Sequence, residues 1–349
     1  MKLRGGISGF GEVAAQAHLP GWLTRPDIQI AAVHDPIPER RHLALRLIKN
    51  VRVYEDLDLM LDGEQLDFLD VASPPALHVH AARSALEAGA HVIVEKPLCL
   101  DLKEFDALKS LAAANSRVMM CVHNWKYSTA YHLAHEIVAS GRLGALRYLA
   151  LERLRTQPAG AAGAVPTGSV ATGPGWRLDP ASGGGILIDH GWHVFYLMCW
   201  LMGDAPVEVS ARLGSLPGLT VDDMADLRVV FADGSIGYSH LSWRAPVRRT
   251  SAMLYGENAI LGMDGDRMRL TDRSGKSRDF TAADPSDDSY HASWFAGVAA
   301  EFETAIKQTA RHTAEVNLAE ARSALAIILA ARESHRAHGT PVRIAANCA

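Results

Sequence analysis

Apolar and polar positions along the chain follow two regimes. From Leu3 to Val122, short apolar runs alternate with segments whose apolar residues recur at intervals of three and four. Gly6–Ser8, Ile28–Val33, Phe68–Ala72, Val92–Val94 and Val118–Val122 read as strands. Glu12–Leu23, Pro38–Ile48, Leu77–Ala88 and Leu102–Ala113 read as helices. Repeated strand–helix alternation predicts right-handed βαβ units, and so a doubly wound parallel sheet with helices on both faces.

A helical stretch from Tyr131 to Ala139 ends at Ser140-Gly141-Arg142-Leu143-Gly144, and strands then follow strands. Leu146–Leu154, Val207–Leu213, Met224–Phe231, Ile236–Trp243 and Ala252–Tyr255 are β-like, with hairpin signals at Asp233-Gly234 and Asp264-Gly265. Trp294–Lys307 and Leu318–Ala337 return to helical spacing, and Val342-Arg343-Ile344 closes the chain as a strand. The expectation is an α/β protein of two domains. Residues 1–122 form a Rossmann domain; residues 123–349 form a substrate-binding and oligomerisation domain with a large, mainly antiparallel open sheet. The C-terminal strand or helix is expected to pack back on the first domain. No internal repeat is evident. Gln157–Gly175, rich in Ala, Gly, Pro and Thr, is too poor in large apolar residues to pack; a substrate lid and a plain insertion both fit it.

Composition removes some partner classes. A formal net charge of -4 over 349 residues, Lys+Arg 35 against Asp+Glu 39, gives no electrostatic reason to expect nucleic acid or an anionic membrane. The first strand is expected to begin at once, so no leader is expected. The best apolar run, Ile186–Met202, carries Asp189, His190 and His193 and falls short of a membrane span. Cys99, Cys121, Cys199 and Cys348 form no Cys-x-x-Cys pair and read as reduced thiols, which suits the cytoplasm.

Candidate chemistry starts at Gly9-Phe10-Gly11-Glu12-Val13-Ala14, a Gly-x-Gly-x-x-Ala turn between a strand and a helix. Gly9 allows the tight turn, Gly11 the close approach of a pyrophosphate, and Ala14 close helix–strand packing. The helix N-terminus offers amide donors to phosphate. Asp35 ends the second strand, where its carboxylate would accept ribose hydroxyls and repel a 2′-phosphate; NAD is favoured over NADP, although Arg40 and Arg41 soften that preference. The alternative is that Asp35 caps the helix beginning near Pro36.

Ser73-Pro74-Pro75 follows the fourth strand, with His78 opening the next helix. Glu95-Lys96-Pro97 follows the fifth, at the carboxyl edge where α/β sheets bind ligands. Lys96 is read as functional rather than as a surface charge. Gly183-Gly184-Gly185 leads into a run holding Asp189 and His193, four apart and so on one face of a helix. An acid that holds an imidazole in one tautomer suits proton transfer from an alcohol, and the glycines let backbone approach a ligand. Asp189, His190 and His193 lack the Glu or Cys spacing of a zinc site, so no metal is expected; His190 reads as a substrate or packing contact.

These motifs, with Trp176-Arg177 and Gly183-Gly184-Gly185-x-x-x-Asp189-x-Gly191-x-His193, resemble the Gfo/Idh/MocA family over nearly the whole length. The resemblance implies an N-terminal Rossmann domain, a C-terminal sheet used for homodimers or homotetramers, and NAD(P)-dependent redox chemistry on sugars and polyols. It implies Lys96, Asp189 and His193 as the catalytic trio. Implied cofactor contacts are Gly9, Phe10, Gly11, Glu12, Val13, Asp35, Ser73, Pro74, His78, Glu95 and Lys96. Implied substrate contacts are Lys96, Asn124, Lys126, Trp176, Arg177, Asp189, His190 and His193. Lys126 stands where an arginine is common in the family, and Tyr196 where an aspartate is frequent; Tyr196 and His190 put free glucose or inositol as substrates in doubt. Trp176, Trp192 and Trp243 would suit stacking on a sugar ring. Two other functions stay open: a redox-neutral NAD-using glycosidase or lyase, and a non-catalytic NAD-sensing regulator, which would be expected to lose Lys96 or His193.

Overall fold

The computed structural model describes residues 2–156, 175–284, 290–307 and 311–345. Cα proximity divides them into two compact units: 2–124, 290–307 and 311–318, and then 125–156, 175–284 and 319–345.

The first unit is built on a parallel six-stranded sheet. Its strands are β1 (Leu3–Ser8), β2 (Ile28–His34), β3 (Arg52–Tyr54), β4 (Phe68–Val71), β5 (His91–Val94) and β6 (Met119–Cys121), in the order β3-β2-β1-β4-β5-β6. All four residues of β4 are buried, Asp70 among them, and the last three of β5 are a buried apolar run. The reversal of strand order between β1 and β4 creates a crevice at the carboxyl ends of those strands, where open α/β sheets receive ligands. A π-helical turn, Ala14–His18, leads into α1 (Leu19–Leu23). The crossovers are α2 (Pro38–Leu47), α3 (Leu57–Gly63), α4 (His78–Glu87) and α5 (Leu102–Ala114). Asp56 and Asp101 accept hydrogen bonds from backbone amides at the starts of α3 and α5, which sets where those helices begin.

The second unit opens with α6 (Thr129–Ala139), whose start is capped by Ser128, and continues into β7 (Leu146–Leu154). Two helices, α7 (Ile186–Asp189) and α8 (Gly191–Met202), follow. Then come β8 (Pro206–Gly214), β9 (Met224–Phe231), β10 (Ile236–Ser242), β11 (Arg249–Gly256), β12 (Ala259–Asp264), β13 (Arg267–Asp272) and β14 (Ser277–Thr281). With β15 (Val342–Arg343) they form a nine-stranded sheet ordered β14-β13-β12-β11-β7-β10-β9-β8-β15. Every neighbouring pair is antiparallel except β7 with β10. Gly234 and Gly265 adopt positive φ (84° and 60°) in the turns joining β9 to β10 and β12 to β13, as the two Asp-Gly pairs predict. Inward residues alternate along β9 (Ala225, Leu227, Val229, Phe231), the signature of a sheet covered on one face.

Helix α9 (Ala292–Lys307) packs on α1 in the first unit, with Arg25 to Glu303 and Lys307 to Asp27 each at 2.6 Å. Helix α10 (Arg311–Arg336) contributes Asn317, whose side chain pairs with both the N–H and C=O of Cys121 (2.7 and 3.0 Å) and so satisfies the exposed edge of β6. Cys99, Cys121 and Cys199 are buried free thiols; Cys348 and nearly all of the Gln157–Gly175 stretch lie outside the described residues. No helix of the described residues is long and apolar enough to cross a membrane.

Candidate functional site

In the first unit, the turn after β1 is shaped by two glycines with different duties. Gly9 has φ +90, and a Cβ there would lie 2.6 Å from the Ser73 N and Cα, so only glycine fits between the β1 and β4 loops. At Gly11 a Cβ would meet nothing nearer than Arg40 Cζ at 3.9 Å. That space is where backbone is left open to a ligand, and the first-turn amides that follow have no partners within the helix.

Asp35, at the end of β2, is fully buried. Its Oδ2 accepts the Phe10 N–H of the glycine turn at 2.8 Å and its Oδ1 accepts Ile37 N–H at 2.9 Å, while Arg40 Nη1 approaches to 3.5 Å. The carboxylate thus fixes the turn and also caps the entry to α2. Oδ1 keeps a second lone pair, so its bond to Ile37 does not prevent it from accepting a hydroxyl. An orphaned Ser73 Oγ, an open Gly11 and a carboxylate at the end of β2 fit a dinucleotide.

The loops after β4 and β5 are joined by His78, whose Nδ1 lies 2.7 Å from Pro97 O and whose Nε2 lies 2.7 Å from Ser73 O. Two carbonyl partners are satisfied together only by the doubly protonated ring, yet burial opposes the charge and holds the pKa below its usual value. The Lys96–Pro97 peptide is cis. Glu95 Oε2 accepts the Lys96 N–H at 2.8 Å, which anchors the backbone of the lysine.

Behind Glu95 runs a buried chain that the sequence reading did not find. His18 Nε2 lies 3.1 Å from Glu95 Oε1, His18 Nδ1 lies 2.9 Å from Asp70 Oδ2, and Trp22 Nε1 donates to the same Asp70 oxygen at 2.7 Å. Phe295 stacks on the His18 ring at 3.8 Å. Burial pushes the imidazole pKa down, but the Asp70 charge and hydrogen bond, with Glu95 behind them, lift it to about 9. Burial would likewise raise Glu95, and His18 outweighs that and lowers it. The signal available was Asp70 itself: a charge in the all-buried strand Phe68–Val71 requires a partner.

Asn124, the last residue of this unit before α6, has a buried Oδ1 with no partner, an acceptor open to a ligand donor. Lys126, in the second unit, has its ammonium in an ion pair with Glu320, over the Trp200 ring at 5.2 Å. That pair occupies the charge the sequence assigned to substrate.

In the second unit the glycine run serves the protein's own packing. A Cβ at Gly184 would lie 2.6 Å from Arg177 O, and one at Gly185 (φ +108) would lie 2.5 Å from Asp222 Oδ1. Asp222 caps α7 by accepting Leu187 N–H at 2.7 Å. The close approach is therefore to residues 177–179 and Asp222. Asp189 ends α7 and His193 lies in α8, with His190 between the two helices.

Asp189 Oδ1 sits 3.2 Å from Arg177 Nε, without hydrogen-bond alignment, and Arg177 lies over Trp176 at 4.6 Å. His190 Nδ1 has two neighbours, Asp189 Oδ2 at 3.4 Å and the Trp243 indole N–H at 3.2 Å. Indole only donates, so Nδ1 accepts and the contact with Asp189 is not an ion pair. Trp192 is wholly buried, and the Trp243 N–H is taken by His190.

His193 stacks on Trp125 at 4.1 Å with the rings 2° from parallel, and its Nδ1 lies 3.2 Å from the Tyr196 hydroxyl. Tyr196 also accepts the backbone N–H of Trp125 at 3.0 Å. Trp125 carries a second group, the Arg153 guanidinium, 3.8 Å from the ring centroid. A buried imidazole with one nitrogen held by a hydroxyl and the ring held by an aromatic plane is equipped to take and return a proton at its other nitrogen. Among the described residues, no three His, Cys, Asp or Glu side chains converge as a metal site.

Residues 3–123 match the family model described as "Oxidoreductase family, NAD-binding Rossmann fold", and residues 131–261 match the GFO/IDH/MocA C-terminal domain. D-glucoside 3-dehydrogenase of Escherichia coli (strain K12) is 28% identical over 209 residues, 59% of this chain and 56% of that protein. The chain spans about half the length of the first curated relatives it matches. Levoglucosan dehydrogenase, solved with NADH and levoglucosan, superposes with a TM-score of 0.83 at 22% identity, covering 99% of this chain and 100% of that one. Aldose-aldose oxidoreductase from Caulobacter crescentus, complexed with glycerol, gives 0.82 at 22% identity over 98% and 100%. At these identities the structural likeness speaks for the fold.

Proposed function

The chain belongs to the Gfo/Idh/MocA family, its first unit being an NAD-binding Rossmann fold, and from that premise we propose that it is an NAD-dependent oxidoreductase acting on a hydroxyl or carbonyl of a sugar, polyol or related compound. The observation that carries the reading is His193, buried, stacked on Trp125 and held at Nδ1 by Tyr196. D-glucoside 3-dehydrogenase, levoglucosan dehydrogenase and aldose-aldose oxidoreductase support the substrate class.

Bound nicotinamide supplies the hydride acceptor in oxidation and the donor in reduction. The remaining steps fall to the protein. His193 Nε2 takes the hydroxyl proton. For that, Nδ1 carries the resting proton and donates a hydrogen bond to Tyr196 Oη, whose second lone pair accepts the backbone N–H of Trp125. Lys96, anchored through Glu95, steadies the oxygen that gains charge, and Asp189 favours the imidazolium as it forms. Asp35 accepts the ribose hydroxyls and disfavours a 2′-phosphate, which selects NAD over NADP.

We further assign the protein to the cytoplasm, on the strength of its free buried thiols. It is assigned to a homo-oligomer joined through the outward face of the large sheet, where Tyr238 and Tyr255 are 38% and 36% exposed. Light scattering that gives a monomer mass would remove the second assignment.

The test is turnover of purified protein with NAD⁺ and a panel of sugars, polyols and glycosides, reading nicotinamide absorbance and product mass together. Reduced nicotinamide with a ketone product supports the dehydrogenase. Product without absorbance identifies internally returned hydride, the chemistry of a lyase or glycosidase. Lys96→Ala is expected to lose turnover and keep NAD binding; unaltered turnover removes the lysine's role.

A further inference from the structure

Strand β7 turns Leu149 and Leu151 inward, and the same alternation carries Arg153 and then Arg155, just beyond the strand end, onto the face covered by α8. Two guanidinium groups thereby take positions that β7 otherwise gives to leucine. Arg153 Nη1 reaches Thr250 Oγ1 at 2.5 Å, and its Nε is buried with no partner. Arg155 Nη1 reaches Leu154 O (2.6 Å) and Arg249 O (3.2 Å), and Nη2 reaches Thr250 Oγ1 at 3.5 Å. Among the described residues, no carboxylate is hydrogen-bonded to either arginine.

Adjacent cations, Arg155 buried and Arg153 half-buried, repel and are costly to desolvate. Burial, then Arg155 and Arg248, pushes the Arg153 pKa down; burial and then Arg248 pushes Arg155 down to about 10. Asp189 is the carboxylate that opposes this, and it already faces Arg177. Arg153 also lies against the indole that His193 stacks on, so its positive charge is beside the proposed proton acceptor. Neutral hydroxyls do not neutralise it. A planar fork with open N–H donors matches a carboxylate or phosphate.

We propose that the substrate carries an anionic group, a carboxylate or a phosphate, that docks on Arg153, with Arg155 and the exposed Arg248 adding charge. The substrate class is then a sugar acid or sugar phosphate. This deepens the dehydrogenase reading and rests on it for the identity of the reaction, while the anion site itself is tested separately.

Matched pairs provide the probes: D-gluconate against D-glucitol and glucose 6-phosphate against glucose, with inorganic phosphate alone, all at one ionic strength and with NAD⁺ present. Thermal shift and calorimetry are read on wild type, Arg153→Met, Arg155→Met and Arg248→Gln. The charged member of at least one pair is expected to bind about tenfold or more tighter than its neutral partner, an advantage lost in Arg153→Met and reduced in the surface variant Arg248→Gln. A gluconate preference identifies a carboxylate, and a glucose 6-phosphate preference a phosphate. No charged preference in wild type, or one that survives every substitution, overturns the proposal. Arginine-dependent anion binding without nicotinamide reduction by any compound keeps the anion site and removes the dehydrogenase reading. Turnover of neutral sugars with no gain from charge does the reverse.

Discussion

His193 Nδ1 and the Tyr196 hydroxyl lie 3.2 Å apart, one helical turn from each other along α8. The tyrosine is buried and also accepts the backbone N–H of Trp125, so its oxygen is fixed before any substrate arrives. Tyr196→Phe removes the partner of the imidazole and leaves a buried amide without an acceptor. Turnover is expected to fall on the order of tenfold to a hundredfold with KM little changed, and stability to fall by about 1 to 2 kcal/mol. Steady-state kinetics across pH with a calorimetric melt separate the two effects. Unchanged turnover in a destabilised variant would leave the hydroxyl a packing role only.

Gly9 and Gly11 are expected to respond in opposite ways to alanine. Gly9→Ala places a Cβ 2.6 Å from Ser73 backbone at φ +90, and a loss on the order of 3 kcal/mol is expected. Gly11→Ala meets nothing within van der Waals contact except the end of Arg40, so the melting temperature should hold while NAD affinity drops. Melting curves with and without NAD decide it. A Gly11→Ala protein that binds NAD normally would show that the open space is not used by pyrophosphate.

Asp35 joins the glycine turn to α2 through Phe10 N–H and Ile37 N–H, so removing it has two consequences. Asp35→Ala leaves both amides without their acceptor, at about 1 to 3 kcal/mol each if they stay buried. It should also narrow the preference for NAD over NADP. Asp35→Asn keeps one acceptor oxygen and removes the charge, so it should narrow the ratio with less loss of stability. Dissociation constants for both cofactors in both variants are the measurement; a ratio that stays put in Asp35→Asn removes the charge argument.

How much of this was legible in the sequence differs by element. Strands β1, β2, β4 and β5 announced themselves because buried parallel strands are rich in apolar residues over short runs. Strand β3 and helix α3 did not: Arg52–Tyr54 is three residues long and none is fully buried. The glycine turn and Asp35 were readable because one backbone geometry demands them. The partners of His193 were not, since Tyr196 and Trp125 converge only through packing of α8 on the start of the second unit. The pairing of Lys126 with Glu320, 194 positions away, was not legible either. The pair Arg153 and Arg155 follows a plain two-residue alternation, yet only the neighbours in space reveal that, among the described residues, no carboxylate is hydrogen-bonded to it.

The Asp70–His18–Glu95 chain predicts how stability depends on pH. Its imidazole has a folded pKa of about 9 against 6.5 for the ordinary group, so the folded state holds the proton more tightly than the unfolded one. The contribution is fully present below pH 6.5 and is lost as pH rises through about 9. The lift corresponds to on the order of 3 kcal/mol for a ring that is 1% exposed. Wild type should therefore lose stability between neutral pH and about 9, and His18→Asn, which carries no titratable charge, should lose the step while being less stable at neutral pH. Denaturant midpoints from pH 6 to 10 for both proteins, with the His18 ring followed by nitrogen chemical shift, provide the check. A ring that titrates near its ordinary value, or a variant with the same alkaline step as wild type, would show that the two carboxylates do not hold an imidazolium behind Lys96.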